Sequence, residues 1–389
     1  MSGCESDVVV VGARCAGAAT AMLLGRLGYR VTVVERGRIP SDTLSTHGLA
    51  RGGVVQLAKW GLLDAVLASG APAIRQVVFR AGDVEEIRTV KPRAGVDHLV
   101  APRRYVLDRI LADAATAAGA TVHTGLTATG VIRADDGRVR GVLARTADGT
   151  AARLPATVVV GADGVRSRLA EVLGAAVRER HPTDSAAFYT YVGGLPWPAV
   201  EFHVGEFADG RVGYAGVFPT HHGQACVWVC CPVARVRGLR GGVAEPFLRL
   251  LAQVSPTLAA RARTGQVSLP VRGTMRLPNH VRTATGPGWA LVGDAGYHRD
   301  PITGHGITDA FRDSELVTRA IDDHLRGRAP DLSAYETARD RALRETFDLT
   351  CAMSRYPGLE EFVALQKRLS RALEVEADQL ASTHVPAVA

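Results

Sequence analysis

The residues best suited to chemistry are glycines and carboxylates that follow short apolar runs. Gly12 and Gly17 come after four consecutive valines, and Glu35 ends the next apolar run, 23 residues after Gly12. Gly12 permits a tight turn, Gly17 lets a helix approach a strand closely, and the free N–H groups of that helix would bind a pyrophosphate. A carboxylate placed like Glu35 would accept hydrogen bonds from ribose hydroxyls. The pattern predicts a nucleotide site within the first 35 residues.

A strand–helix–strand unit has to position these residues. The valines at 8–11 predict a short buried parallel strand, residues 15–27 a helix with Gly28 as its C-cap, and residues 30–34 a second strand. This is the arrangement of the Rossmann fingerprint G-x-G-x-x-G, with Arg14 in place of the middle glycine. The alternative is a βαβ unit that binds no nucleotide.

Three later segments place charged residues and glycines at the ends of predicted elements. Arg104 begins a predicted helix, Asp163-Gly164 follows an apolar strand, and Asp294 follows the last apolar strand. Pro301, Gly304 and Gly306 then come before another helix. Taken singly, these residues could be an exposed helix start, an ordinary turn and a helix cap.

Together the four segments resemble the FAD-dependent oxidoreductase superfamily of p-hydroxybenzoate hydroxylase (the group A flavoprotein monooxygenases) and geranylgeranyl reductase. The resemblance extends from Asp7 to about Arg339. It implies that FAD is the cofactor. It also implies that Arg104 approaches the FAD pyrophosphate and that Asp294 contacts the ribitol and ribose hydroxyls. The expected cofactor-binding residues are Gly12, Arg14, Ala16, Gly17, Glu35, Arg36, Arg104, Asp163, Gly164, Gly293, Asp294, Gly304, His305 and Gly306.

The resemblance also implies two catalytic residues. Pro301 belongs to the loop that lies beside the isoalloxazine in the family, and His47 stands where many hydroxylases place an arginine beside the flavin. His47 is therefore a candidate for contact with the ring or the substrate. The alternative is a hydrogen-bonded loop histidine. One departure from the family is His305, which replaces the glutamine of a Gly-Gln-Gly sequence.

These features predict an α/β fold in which a Rossmann-type FAD-binding domain is interleaved with a β-rich substrate domain and followed by a helical C-terminal region. Strand-like stretches between residues 74 and 100 lack following helices, so we expect them in a separate antiparallel sheet. A cleft between the two domains is the expected reaction site. We assign 1–72, 101–177 and 277–328 to the FAD domain, 73–100 and 178–276 to the substrate domain, and 329–389 to the C-terminal helices.

Composition argues against several other partners. The net charge is +7, but only three lysines occur and no basic run reaches five residues, so we expect no nucleic-acid partner. No window approaches 18 apolar residues, so we expect neither a membrane span nor a signal peptide. The six cysteines show no metal-binding spacing, and three of them (Cys226, Cys230, Cys231) fit a buried strand. We expect no metal and a reducing, cytoplasmic location, while the oligomeric state stays open.

The first function hypothesis is a monooxygenase that uses FAD, NAD(P)H and molecular oxygen on a small apolar or aromatic substrate. No second Gly-x-Gly-x-x-Gly follows a later strand, so NAD(P)H has no Rossmann domain of its own. This fits hydroxylases that bind the nicotinamide cofactor transiently. A flavin-binding module without enzymatic activity is disfavoured, because the β-rich domain that would form a cleft is retained.

The second hypothesis is a prenyl or other alkene reductase. Residues 214–220 resemble the Tyr-x-Trp-x-Phe-Pro-Lys motif of geranylgeranyl reductases, but Gly216 replaces the tryptophan and Thr220 the lysine. We expect Gly216 to leave space for a bulkier substrate, because a tryptophan ring there would form a large rigid wall. A halogenase is disfavoured by the absence of a Trp-x-Trp-x-Ile-Pro sequence.

Overall fold

A computed structural model describes residues 6–236 and 243–383. The strands are β1 (Ser6–Val11), β2 (Val31–Glu35), β3 (Gln76–Ala81), β4 (Val84–Thr89), β5 (Thr121–Thr124), β6 (Leu126–Arg133), β7 (Val139–Thr146), β8 (Ala151–Gly161), β9 (Val177–His181), β10 (Ser185–Gly193), β11 (Val200–Glu206), β12 (Val212–Pro219), β13 (Ala225–Pro232), β14 (Gln266–Val267), β15 (Arg272–Met275), β16 (Asn279–Arg282), β17 (Thr285–Gly286), β18 (Trp289–Leu291) and β19 (Tyr297–His298). The helices are α1 (Cys15–Arg26), α2 (Arg51–Lys59), α3 (Leu63–Ala68), α4 (Arg104–Ala117), α5 (Arg168–Leu173), α6 (Ala244–Val254), α7 (Pro256–Arg263), α8 (Gly306–Leu325), α9 (Ser333–Met353) and α10 (Leu359–Ser382).

The first sheet confirms the predicted βαβ unit and the α/β class. Its central strands run in the order β18-β8-β1-β2-β5 and are parallel, while β17 and the β6–β7 pair are antiparallel additions. The valines of β1 are buried on both faces: Val8 and Val10 pack toward α1 and α8, and Val9 and Val11 toward β7 and α5. Burial on both faces is the reason that this strand is apolar without interruption.

The second sheet has the order β14-β10-β13-β12-β11-β3-β4, with β15 also beside β10. The separate sheet expected for residues 74–100 is present and is antiparallel at each of its pairs except one, because β3 pairs with β11 in parallel. Strands separated by more than 100 residues of chain need no hairpin, so their direction is free of that constraint. One face of this sheet packs on α6 and α7.

Two elements differ from the sequence expectations. Helix α7 was not predicted, although Pro256 stands in its first turn and the Ser255 Oγ accepts a hydrogen bond from the Leu258 N–H. Strand β9 was assigned to the β-rich region, but it pairs with β16 in a third, three-stranded sheet with β19. That small sheet packs on α9 through Val281 and Phe347.

The C-terminal helices join the sheets. Helix α8 packs along α1, and α10 packs on α2 and across the free face of the second sheet, where the ring of Phe362 packs edge-on against Tyr214. The strands of the first two sheets alternate along the chain, and the division into domains remains a prediction.

The described cysteines are free and buried, as expected for the group in β13; Cys4 lies outside the described residues. Across residues 6–236 and 243–383, none of the helices combines the length and apolar character that a membrane crossing requires.

Candidate functional site

A cavity of about 580 Å³ lies at the carboxyl ends of the parallel strands and is called the first cavity. Loops after β1, β2, β8 and β18 line it, because the carboxyl ends of parallel strands meet at one edge of a sheet. It brings together most of the predicted site residues: Gly12, Arg14, Ala16, Glu35, Arg36, His47, Arg104, Asp163, Gly164, Asp294, Pro301, Gly304, His305 and Gly306.

The other two predicted residues, Gly17 and Gly293, are packing positions outside this lining. A Cβ at Gly17 would lie 1.8 Å from the Gly12 carbonyl oxygen, and one at Gly293 would lie 3.2 Å from the Ala16 Cβ. Gly12 itself has φ +105°, and a Cβ there would lie 2.4 Å from the Ala162 oxygen. These glycines allow the N-terminus of α1 to approach the loop after β8.

Glu35 fixes the loop after β1. Its Oε2 accepts a hydrogen bond from the Ala13 N–H at 2.9 Å, and its Oε1 accepts one from the Gly37 N–H at 2.7 Å. Each carboxylate oxygen retains a further lone pair. Glu35 can therefore hold the loop and still accept a hydrogen bond from a ligand hydroxyl.

Two arginines share one buried carboxylate beside the N-terminus of α1. The Arg104 Nη2 donates to Asp108 Oδ1 at 3.0 Å, and the Arg14 Nη1 donates to Asp108 Oδ2 at 2.9 Å. Sequence reasoning missed Asp108, although its spacing of four from Arg104 on a helix was a usable signal. Two guanidinium groups and one carboxylate leave one positive charge unbalanced, which suits a bound anion.

Asp163 accepts hydrogen bonds from residues at the start of α5. Its Oδ1 accepts from the Ser167 Oγ and its Oδ2 accepts from the Leu169 N–H at 3.1 Å. The sequence left open an ordinary turn for Asp163-Gly164, and the hydrogen bonds of Asp163 are structural ones that hold the adjacent Gly164 loop at the cavity. Arg166 and Arg168 also line the cavity and have no partner within residues 6–236 and 243–383.

Asp294 differs from the other carboxylates because it has no hydrogen-bond partner in the described part of the chain. Its side chain is exposed within the first cavity and is surrounded by protein on its other sides, at the end of the last parallel strand. Burial raises the pKa of its carboxyl above the usual value, and His298 opposes that shift. Asp294 does not cap a helix here, so its carboxylate is free to bind a ligand hydroxyl.

His47 lines the first cavity, but both its ring nitrogens are used within the protein. Nδ1 lies 3.0 Å from the Ala101 carbonyl oxygen and Nε2 lies 3.0 Å from the Tyr191 hydroxyl. Burial, with Arg103 nearby, lowers its pKa to about 3, so the ring is neutral at pH 7. Because a carbonyl only accepts, Nδ1 carries the proton and Nε2 accepts from Tyr191. This geometry favours the hydrogen-bonded loop histidine, and direct catalysis by His47 remains a prediction.

Behind the Gly304-His305-Gly306 loop lies a buried network of ion pairs. The His305 Nε2 is 2.5 Å from Glu376 Oε2, and the Arg312 Nη1 is 2.8 Å from Glu376 Oε1 and 3.0 Å from Asp309 Oδ1. Arg299 also pairs with Asp309 at 2.7 Å. His305, Asp309 and Glu376 are close enough to hold a metal ion, but guanidinium groups already satisfy both carboxylates. The network instead ties α10 to the loop.

A second cavity, of about 1050 Å³, lies between the second sheet and α10. Its sheet side carries the aromatic residues Phe202, Tyr214, Phe218 and Trp228. The residues that line both cavities are Thr46, Gly48, Ala187, Tyr189, Pro301 and Gly304. A molecule in the second cavity would thus be separated from one in the first by a single layer of residues.

The expected space at Gly216 is not present. Gly216 lies directly opposite Trp228 on the neighbouring strand, and a Cβ at Gly216 would be 2.5 Å from the Trp228 Cζ2. Directly opposed residues of antiparallel strands share a face. Trp228 therefore covers Gly216. It supplies, from the neighbouring strand, an aromatic wall similar to the one that the tryptophan of the reductase motif would form.

Comparison with known proteins identifies an FAD-binding family and similar reductases and monooxygenases. A family model described as FAD binding domain matches residues 5–350. Digeranylgeranylglycerophospholipid reductase 2 of Methanopyrus kandleri is 31% identical over 94% of this chain and 91% of its own length. Kynurenine 3-monooxygenase of Salinispora arenicola is 27% identical over 97% of this chain and 85% of its own length.

The solved structures agree in fold. PqsL of Pseudomonas aeruginosa, described as a probable FAD-dependent monooxygenase, superimposes with a TM-score of 0.80 at 22% identity. The match covers 94% of this chain and 100% of that chain. The predicted fold class is thereby confirmed.

Proposed function

Since the chain belongs to the FAD-binding-domain family and is an FAD-dependent oxidoreductase, we propose that it is a monooxygenase. In this proposal it uses NAD(P)H and molecular oxygen to oxygenate an apolar or aromatic organic substrate. Bound FAD would supply the redox chemistry, accepting reducing equivalents from NAD(P)H and activating oxygen. The chain itself binds and orients the reactants and keeps water from the apolar cavity.

The residues of the first cavity fit FAD. The first turn of α1 has no side-chain cap, so its N–H groups are open to a pyrophosphate beside Arg14 and Arg104. Asp294 is an unpartnered carboxylate for the hydroxyls. A Cβ at Gly306 would meet nothing within 4 Å, which leaves room for a flat ring. These observations support FAD in the first cavity.

We infer that the second cavity is the substrate site, because it shares a wall with the first cavity. Pro301 and Gly304 line both cavities, and aromatic side chains cover the sheet side of the second. A ligand there would lie next to a cofactor in the first cavity while being enclosed by apolar surface. Cavities that bind drug-sized ligands measure roughly 300–1,000 Å³, so a substrate larger than a single aromatic ring can be held.

NAD(P)H is proposed to bind transiently at the mouth of the first cavity. Arg36, Arg166 and Arg168 are exposed there and have no partner among the residues that the structure describes. Such cations attract an anionic dinucleotide and raise its rate of association. The positive net charge of the chain acts in the same direction.

A second candidate function, alkene reduction, is favoured by one specific observation. Trp228 stands opposite Gly216 and restores an aromatic wall at the position where the reductase motif has its tryptophan. Trp228 therefore compensates for the missing tryptophan, which no longer distinguishes this chain from the reductases. The missing lysine at Thr220 still separates this chain from the motif.

The two functions predict different products. We expect the purified protein to consume NAD(P)H and oxygen together when its substrate is present, and to give a product heavier by one oxygen atom. An oxygen electrode and mass spectrometry, applied to a panel of aromatic and isoprenoid compounds, would test this. A product heavier by two hydrogens that forms equally well without air would assign the chain to the reductases, and a halogenated product would reject both functions.

Substitution of Glu35 by alanine is expected to weaken FAD binding by about 10- to 150-fold. This range corresponds to the loss of one hydrogen bond to a charged group, which contributes about 1.5–3 kcal/mol to the binding free energy. Titration of the apoprotein with FAD, followed by flavin fluorescence, measures the change. Glu206, an exposed glutamate at the end of β11, provides the matched control Glu206→Ala. An unchanged affinity for FAD in Glu35→Ala would mean that Glu35 only holds the loop after β1 and does not bind the cofactor.

A further inference from the structure

The lining of the second cavity includes charged residues, two of which pair with Glu374. The lining contains four cations and this one carboxylate; the cations are Arg51, Arg88, Lys91 and Arg93. Arg51 and Arg93 both pair with Glu374, at 3.2 Å and 3.1 Å. All other lining residues are apolar or uncharged. The cavity thus combines an apolar, aromatic body with one cationic region.

Two of these cations retain donors that the protein does not use. The Arg51 Nε pairs with Glu374 and its Nη1 donates to the Val96 carbonyl at 3.0 Å, but its Nη2 has no partner in residues 6–236 and 243–383. Lys91 has no ion pair or hydrogen bond within those same residues. Arg93 is also paired with Asp378, and Arg88 with Glu86.

We propose that the second cavity binds an amphiphile whose anionic group, a carboxylate or a phosphate, is held by Arg51 and Lys91 while its apolar body lies against the aromatic side chains. The proposal rests on the proposed function, since it takes the second cavity as the substrate site. Arg51 is 9% exposed, so its guanidinium is held in a site of low dielectric. Charge-assisted hydrogen bonds to such a group are stronger than those at an open surface.

The carboxylates near this end of the cavity balance the charges of the guanidinium groups but not the charge of Lys91. Glu374 Oε1 lies near the Arg51 Nε and Oε2 lies near the Arg93 Nη1, and Asp378 also pairs with Arg93, so two carboxylates face two guanidinium groups. Lys91, two residues before Arg93, has no carboxylate partner among the described residues, so its positive charge is left unbalanced. An incoming anion would therefore meet a positive field at this end of the cavity.

The test compares three ligands with one fifteen-carbon isoprenoid body: farnesol, farnesoic acid and farnesyl monophosphate. Binding to the FAD-loaded protein is followed by quenching of tryptophan fluorescence, because Trp228 lines the cavity. We expect at least one of the two anions to bind about 10-fold more tightly than the alcohol, because the anion gains one charge-assisted hydrogen bond. The tighter anion identifies the head group. Equal affinity for all three, or binding of none, would overturn the proposal.

Lys91→Gln is the decisive variant, since Lys91 is exposed and contacts no partner by ion pair or hydrogen bond in the part of the chain that the structure describes. It should lower the affinity for the preferred anion about 10-fold and leave that for farnesol unchanged. Lys367→Gln, which removes an exposed lysine of α10 outside the lining, should change neither affinity. Equal weakening of alcohol and anion in Lys91→Gln would contradict an anion site. Arg51→Gln is a poorer probe, because Arg51 also holds Val96 and Glu374.

Failure of this inference can be distinguished from failure of the proposed function. If the anions are preferred but no compound is oxygenated, the cavity binds as inferred and the monooxygenase proposal fails. If a neutral apolar compound is oxygenated and no anion is preferred, the monooxygenase stands and the anion site is rejected. FAD content, measured for every variant, shows that the cofactor site is intact.

Discussion

Gly17→Ala is expected to abolish measurable FAD binding and to lower the free energy of unfolding of the apoprotein by about 1–3 kcal/mol. A Cβ at this position would lie 1.8 Å from the oxygen and 2.8 Å from the carbon of the Gly12 carbonyl. Both atoms are backbone atoms, so no side chain can move to relieve the overlap. Helix α1 has to shift away from β1, and its N-terminal N–H groups would leave the first cavity.

Urea unfolding of the apoprotein and titration with FAD measure the two effects. The matched control is Gly358→Ala, because a Cβ at Gly358 would be 3.8 Å from its nearest neighbour, an ordinary contact. We expect the control to bind FAD like the unchanged protein. If Gly17→Ala also binds FAD normally, the close approach of α1 to the Gly12 loop is not what forms the site.

Asp294→Ala is expected to weaken FAD binding by about 10- to 150-fold without loss of the fold. The carboxylate has no partner among the described residues, so its removal breaks no hydrogen bond of the apoprotein. In the loaded protein it would hold a ligand hydroxyl, and a hydrogen bond to a charged group is worth about 1.5–3 kcal/mol. Flavin content after purification and an FAD titration measure the loss.

Asp83→Ala, at an exposed acid in the β3–β4 turn, is the matched control and should leave FAD binding unchanged. Flavin content in Asp294→Ala equal to that of the unchanged protein would show that Asp294 does not bind the cofactor. An Asp294→Ala protein that is soluble but unfolded would show instead that the carboxylate is needed for the fold of the apoprotein.

The pH dependence of the apoprotein gives an independent result for Asp294. Desolvation by the surrounding protein raises the pKa of its carboxyl above the ordinary value of an aspartate, so the folded chain binds a proton more tightly than the unfolded chain does. Ionisation therefore destabilises the folded state as pH rises through the folded pKa. We expect Asp294→Ala to be more stable than the unchanged apoprotein at pH 7, and the difference to disappear below about pH 4. Thermal unfolding across this range measures it.

The local sequence was sufficient to identify the strands whose carboxyl ends form the first cavity. The valines before Gly12, the strand before Asp163 and the strand before Asp294 are each short apolar runs that end at glycine or a carboxylate, and all three are parallel strands of one sheet. Such runs are readable because a strand buried on both faces must be apolar along its whole length. Gly12 and Gly17 were readable because only glycine permits the close backbone approach found there.

Only the tertiary structure decided which partners these residues have. Asp108 between two arginines, Glu376 on His305 and Trp228 over Gly216 join residues from separate elements, as far as 94 positions apart for the Arg14–Asp108 pair. The cationic region around Glu374 likewise joins α2, the loop after β4 and α10. Sequence patterns report the periodicity of one element at a time. Contacts between elements depend on how strands pair and helices pack, and this packing also determined that Trp228 fills the space over Gly216.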